Sequence, residues 1–146
     1  MTLTIPIEDA FAASIADALR DDETIDQIAT SGVHLDRTPQ DSQPPYILVS
    51  IIDPRDAEVF SGRAYTEVWV EVRIVVDHRG GGIPATVVAL DEAVRRRLTE
   101  QPVVTEGVNS DRLQRRGKVK YEDAIDGVTR YHRGGVYVGM VYPQAA

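Results

Sequence analysis

The chain has 146 residues, a formal net charge of -7 and no cysteine; this length suits one domain, residues 1–146, burying roughly 70% of the surface its unfolded form exposes. The lack of cysteine excludes disulfides, thiolate catalysis and thiolate-bound zinc or iron-sulfur sites, and the acidic balance argues against a nucleic-acid coat, which needs clustered Lys and Arg. The N-terminal stretch M-T-L-T-I-P-I-E-D-A-F has no basic leader region and no apolar run reaches membrane-spanning length, so the expectation is a soluble, unsecreted chain with no membrane partner.

Pro6 to Arg20 reads as a first helix, with Ile7, Phe11, Ile15, Ala18 and Leu19 at helical spacing and Glu8 and Asp9 at its positive end. Asp21-Asp22-Glu23 interrupts it, and Ile25 and Ile28 continue the spacing as a short helical turn before Gly32. Val33 to Arg37 fits a short strand. Thr38 to Pro45, T-P-Q-D-S-Q-P-P, is turn chemistry. Tyr46 to Ile52 is a buried strand, apolar except for Ser50, expected to stop at Asp53-Pro54. Asp53 to Arg63, D-P-R-D-A-E-V-F-S-G-R, is expected to be a long polar connection that carries Val59 and Phe60 outward.

The strand from Ala64 to His78 is the most informative stretch. Thr66, Val68, Val70, Val72, Ile74 and Val76 fall on one face, and Glu67, Trp69, Glu71, Arg73, Val75 and Asp77 on the other, the period of a half-buried strand. The outer set mixes charge with the chain's one tryptophan. Such a face is either solvated or waiting for a partner, and Trp69 itself fits an interface anchor as well as packing within the subunit. Arg79-Gly80-Gly81-Gly82 closes the strand, and Pro84 opens a helix whose buried stripe is Val87, Leu90, Val94 and Leu98, with Arg95, Arg96 and Arg97 near its negative end. Val103-Val104 fits a short strand. Leu113 to Tyr121 and Thr129 to Tyr142 read as a terminal hairpin turning through Asp123 to Gly127, with a bulge or bend expected at Gly134-Gly135. The order of elements predicts an α+β domain, a mostly antiparallel (mixed) sheet with two main helices on one face and a C-terminal hairpin.

Residues suited to catalysis are not concentrated anywhere. His34, His78 and His132 have no ligand-type neighbour at metal spacing, so the reading is no metal and no triad. Asp77 to Gly82 stands between a strand and a helix, where phosphate loops occur, but it lacks the ordered glycine fingerprint, and Pro84 removes a helix-start amide. Arg112, Arg115, Arg116, Lys118 and Lys120 form a basic run. Within it Arg116, Lys118 and Lys120 alternate with Gly117, Val119 and Tyr121 as the outer face of a strand. Residues 1–60 carry a net charge of -9 and residues 108–146 one of +3, a polarity suited to unlike ends meeting in neighbouring subunits.

Taken together, the N-terminal amphipathic helix, P-P-Y-I-L-V-S-I at Pro44 to Ile51, Y-T-E-V-W-V-E-V-R-I-V-V-D at Tyr65 to Asp77, A-T-V-V-A-L-D-E-A-V-R-R-R-L at Ala85 to Leu98 and G-G-V-Y-V-G-M-V-Y at Gly134 to Tyr142 resemble the tail-terminator or tail-completion proteins of long-tailed bacteriophages and related prophage or gene-transfer particles. The resemblance implies a structural virion protein without catalytic residues or cofactors. It would form a homo-oligomeric ring, a hexamer, at the head-proximal end of the tail. There it would contact the tail tube protein and a head-side connector protein, while DNA passes through the lumen without specific binding. The candidate oligomer or tube interface is Val59, Phe60, Glu67, Trp69, Glu71 and Arg73. Two other classes stay open: another neck component, such as a head-closure or adaptor protein, and a small phosphate- or nucleotide-binding domain using the Asp77 to Gly82 turn.

Overall fold

The computed structural model describes residues 7–37, 43–58, 64–78, 84–105, 108–110, 112–125 and 127–143. Along the chain these form α1 (Ile7–Arg20), α2 (Glu23–Ile28), β1 (Val33–Leu35), β2 (Tyr46–Glu58), β3 (Ala64–Asp77), α3 (Ala85–Glu100), β4 (Val103–Thr105), β5 (Val108–Ser110), β6 (Gln114–Ile125) and β7 (Val128–Pro143). The strands make one mixed sheet in the order β1-β2-β3-β7-β5-β4, with β6 also on β7. Only β1 and β2 run parallel among the described pairs. The expected α+β class, the helices on one face and the terminal hairpin are all present.

The pleat of β3 divides the molecule. Val68, Val70, Val72 and Ile74 are fully buried and Val76 nearly so, in one cluster with Phe11, Ile15 and Leu19 of α1 and Val87, Leu90, Val94 and Leu98 of α3. Burying a side chain of this size contributes about 1.5–3 kcal/mol, so the two amphipathic helices are held chiefly by this shared face. α2 is begun by Asp22, whose carboxylate accepts from the Ile25 amide at 3.1 Å, satisfying one of the orphan donors of a helix start. The opposite face of the sheet has no helix over it among the described residues. Its own small cluster is Tyr46, Leu48 and Val75.

Two expectations about the strands are corrected. β2 does not stop at Asp53-Pro54; it shifts register between Ile51 and Asp53 and pairs with β3 as far as Glu58↔Ala64. β1 covers β2 only from Ile47 to Val49, so among the described residues the far half of β2 is an edge, where the missing N–H of Pro54 is tolerated. The connection is therefore shorter than Asp53 to Arg63. Its remaining residues, Val59 and Phe60 included, lie outside the described ones.

The bulge of the hairpin is also displaced. It sits on β6, between Arg115 and Gly117, while Gly134 and Gly135 of β7 stay in register with β3. These glycines serve close approach instead: a Cβ on Gly134 would lie 1.9 Å from the Val72 carbonyl oxygen, and one on Gly135 would lie 2.4 Å from Arg115 Nε. The hairpin closes at Gly127, whose φ of 77° is left-handed, as a tight turn between strands demands.

Candidate interface on the open sheet face

Glu67, Trp69, Glu71 and Arg73 share the helix-free face of β3, and each is half-buried. The register extends this face across the sheet: Trp69 stands beside Val138 and Glu67 beside Met140 of β7, while Val138 in turn meets Gln114 of β6. The indole is held in place, because Trp69 Nε1 donates to Glu67 Oε1 at 2.6 Å. Trp69, Glu67, Val138, Gly139 and Met140 line an open groove of about 560 Å³ whose other wall is Arg112, Gln114 and Arg116. Its floor is apolar, and Met140 is 57% exposed.

Further along the same face the charges are tied down. Arg73 Nη1 donates to the Tyr121 hydroxyl at 2.7 Å and lies 3.6 Å from Glu71 Oε1. The Tyr121 ring stacks on His132, centroids 4.3 Å apart and planes 9° from parallel. His132 Nε2 is 3.1 Å from Asp123 Oδ2. Burial pushes the imidazole below its ordinary value of 6.5, and the Asp123 carboxylate offsets part of that effect. Arg73 is thus anchored at one end of the face, while Trp69 and Met140 stand at the other, around the groove.

The structure separates the basic run. Because of the bulge at Arg116, Lys118 and Lys120 align with Gly135 and Arg133 on the helical side, whereas Arg116 lines the groove beside Trp69; the three do not form one strand face. Arg115 turns toward α3. Its Nη2 is 3.1 Å from Asp91 Oδ1 and donates to the Gly134 carbonyl at 2.6 Å, and Arg133 Nε donates to Asp91 Oδ2 at 3.0 Å. Asp91 is only 5% exposed. Beside this network Tyr137 is fully buried with the Arg115 guanidinium 5.7 Å from its ring, and burial raises its hydroxyl to about 12. The reading from sequence missed Asp91. The available signal was its place four residues after Val87 and three before Val94, on the apolar stripe of α3.

The histidines are spread over β1, the end of β3 and β7: His34 Nε2 lies 2.7 Å from the Ser31 carbonyl and His78 Nδ1 3.0 Å from Glu122 Oε1. Among the described residues no group of three His, Asp or Glu side chains is placed to hold a metal ion, and no helix is long and apolar enough to cross a membrane. Of the Asp77 to Gly82 turn, only Asp77 and His78 are among the described residues.

A solved structure of the virion of a native gene transfer agent particle contains a chain that superposes with a TM-score of 0.68 at 19% sequence identity, covering 97% of this chain and 100% of that one; this likeness is one of fold. No curated protein matches the chain. The family model described as "Tail completion protein gp17" matches residues 13–142, from the body of α1 to the end of β7, and the chain belongs to that tail completion family.

Proposed function

We propose that this chain is the subunit of a ring, a hexamer, that caps the head-proximal end of a phage-type tail tube, stops tube polymerisation and presents the surface that joins the head-side connector. The observation that carries this reading is the family match over residues 13–142: it takes in every β-strand, so the whole sheet belongs to the match rather than one motif. The half-buried Trp69 on a sheet face that no described helix covers supports an assembling subunit, because tryptophan is enriched where interfaces are most desolvated. The mechanism is geometric. A ring seated on the last tube ring covers the elongation surface and offers a different one, and no substrate is turned over.

A net charge of -7 fits a lumen through which DNA passes without being held, since like charge disfavours adhesion. The site of action is then the virion, at the top of the tail, reached by assembly in the host cytoplasm. The test is electron microscopy of tube protein polymerised with and without this chain, together with native mass spectrometry of the chain alone. Rings at one end of length-arrested tubes are expected. Strictly monomeric protein in both conditions overturns the reading, and rings that bind a head-side component but never the tube favour a head-closure or adaptor protein instead.

A further inference from the structure

We infer that the open sheet face is a two-fold contact, packed against the same face of a second copy with β7 of one chain lying along β7 of the other. The centre of the face is apolar, with Trp69, Val138 and the 57% exposed Met140 around the groove. Strand register carries the same face on through Tyr142 and Asn109 to Val104, which is 52% exposed. No helix covers it among the described residues.

The charges around this centre select the occupant. Along β3, Glu67 and Glu71 flank Trp69 at alternate positions. One rung leads from Trp69 to Val138 of β7 and on to Gln114 of β6, and Arg112 and Arg116, both on the groove wall, flank Gln114 in the same way. Since β3 and β6 each run antiparallel to β7, they run parallel to one another. Glu71 and Gly117 both pair with Val136, so Glu71 is level with Arg116; Arg112 lies between the partners of Val141 and Val138, level with Glu67 beside Met140. An axis lying between two such faces and parallel to β7 keeps every level and exchanges the two sides. It sets Glu67 and Glu71 of each copy over Arg112 and Arg116 of the other and lays apolar centre on apolar centre, the reciprocity of an isologous contact. The strands stay near alignment, as in ordinary face-to-face sheet packing.

Contacts within the chain leave this pattern in place. Arg73 lies 3.6 Å from Glu71 and offsets one carboxylate, so the β3 side stays acidic through Glu67, while no carboxylate lines the β6 wall. Trp69 Nε1 already donates to Glu67, so covering the indole strands no donor. An acidic segment would satisfy only the β6 wall and a basic one only the β3 side, whereas a second copy satisfies both. Nucleic acid is a poorer occupant, because carboxylates stand on the same face. The contact goes beyond the ring reading and does not rest on it: it closes at two copies and concerns the chain away from the tube.

The axis passes over β7, so position 140 of one copy meets position 140 of the other. Sedimentation and native mass spectrometry of the chain alone should show dimers in equilibrium with monomers. Met140→Asp and Met140→Lys alter an exposed side chain, so melting temperatures taken at a dilution where every variant is monomeric should match wild type. Each should raise the dimer dissociation constant about tenfold or more, the scale of like charges brought together, and a mixture of the two should pair one to one. Arg116→Glu should weaken the dimer similarly, and Glu71→Lys in the same chain should recover part of that loss. A chain that stays monomeric without tube at every concentration, dimers indifferent to position 140, or 140 variants that fail to pair when mixed overturn the contact. So does tube protein bound by monomers and lost in Met140→Asp, which gives the face to the tube. Rings on tubes are scored separately, so each of these results leaves the ring reading to its own test.

Discussion

The carboxylate of Asp91 on α3 lies 3.1 Å from the Arg115 guanidinium of β6, with 7% and 17% of the two side chains exposed. One buried acid thereby holds a helix to a hairpin, since Arg133 of β7 reaches the same carboxylate. Removing it by Asp91→Ala leaves two guanidinium groups without their counter-charge and should cost about 3–5 kcal/mol. Replacing Asp91 and Arg115 together by Leu and Met should cost less than the single change. Urea denaturation of the two variants checks the order, and a larger loss in the double variant would show that the pair, rather than its unpaired remainder, supplies the stability.

Trp69→Ala should weaken assembly by about 2 kcal/mol or more while leaving the monomer folded, as the loss of a desolvated aromatic anchor does. Glu71 and Arg73 lie 3.6 Å apart and are 27% exposed, so charge reversal at either should lower the stability of the subunit as well as its association, and the loss should shrink as salt rises. The paired measurement is assembly concentration and melting temperature on the same protein. A lowered melting temperature with assembly unchanged assigns Trp69 to packing within the subunit.

The pH dependence near His132 has a definite sign. Burial holds its folded-state pKa below 6.5, so the unfolded chain binds the proton first as pH falls. Stability is complete above about 6.5 and declines as the pH is lowered through that value toward the folded pKa. Wild-type protein should lose stability between pH 7.5 and pH 5.5, and His132→Asn should lose less over the same interval. Equal losses in the two proteins would move the effect to other groups.

Gly134→Ala should be among the most damaging conservative changes in the sheet, about 3 kcal/mol or more, because the new Cβ meets the Val72 carbonyl oxygen at 1.9 Å and backbone cannot step aside. Gly117→Ala, whose Cβ would rest 3.7 Å from Val136, should be tolerated. Comparing the two melting temperatures separates steric conflict from any general effect of glycine in a strand.

Amide exchange along β2 tests the extended hairpin. Among the described residues, 53–58 pair with β3 on one side only, so amides bonded to β3 should exchange slowly and those facing outward quickly in the free subunit. Uniformly fast exchange over 53–58 would return this stretch to a loop.

β3 was legible in the sequence because its alternation is long and one face is wholly apolar, and α1 and α3 were legible because their stripes keep the helical period. The far half of β2 was not. Asp53-Pro54-Arg55-Asp56 carries turn residues, and it is strand because β3 continues alongside it and an edge accepts proline. β5, only Val108 to Ser110, is too short to show a period, and its strand state comes from β7 at its flank. In the candidate interface, Glu67, Trp69, Glu71 and Arg73 were found by pleat alone. Their neighbours Arg116, Val138 and Met140 were not, since strand order brings them together and a one-residue bulge decides which way Arg116 faces.

That pleat also sets what kind of change β3 can survive. From Glu67 to Asp77 its even-numbered residues face the core and its odd-numbered ones face outward, so a substitution at Glu67 or Arg73 alters how the subunit is recognised and leaves Val68 and Val72 where they are. A single inserted or deleted residue has the opposite character. It exchanges the two sets beyond the point of change, turning Trp69 and its charged companions into the core and the valines to the outside. The strand is therefore free to drift by replacement and closed to drift by length, and divergence among such subunits should accumulate in the spelling of the outer positions while their spacing stays fixed.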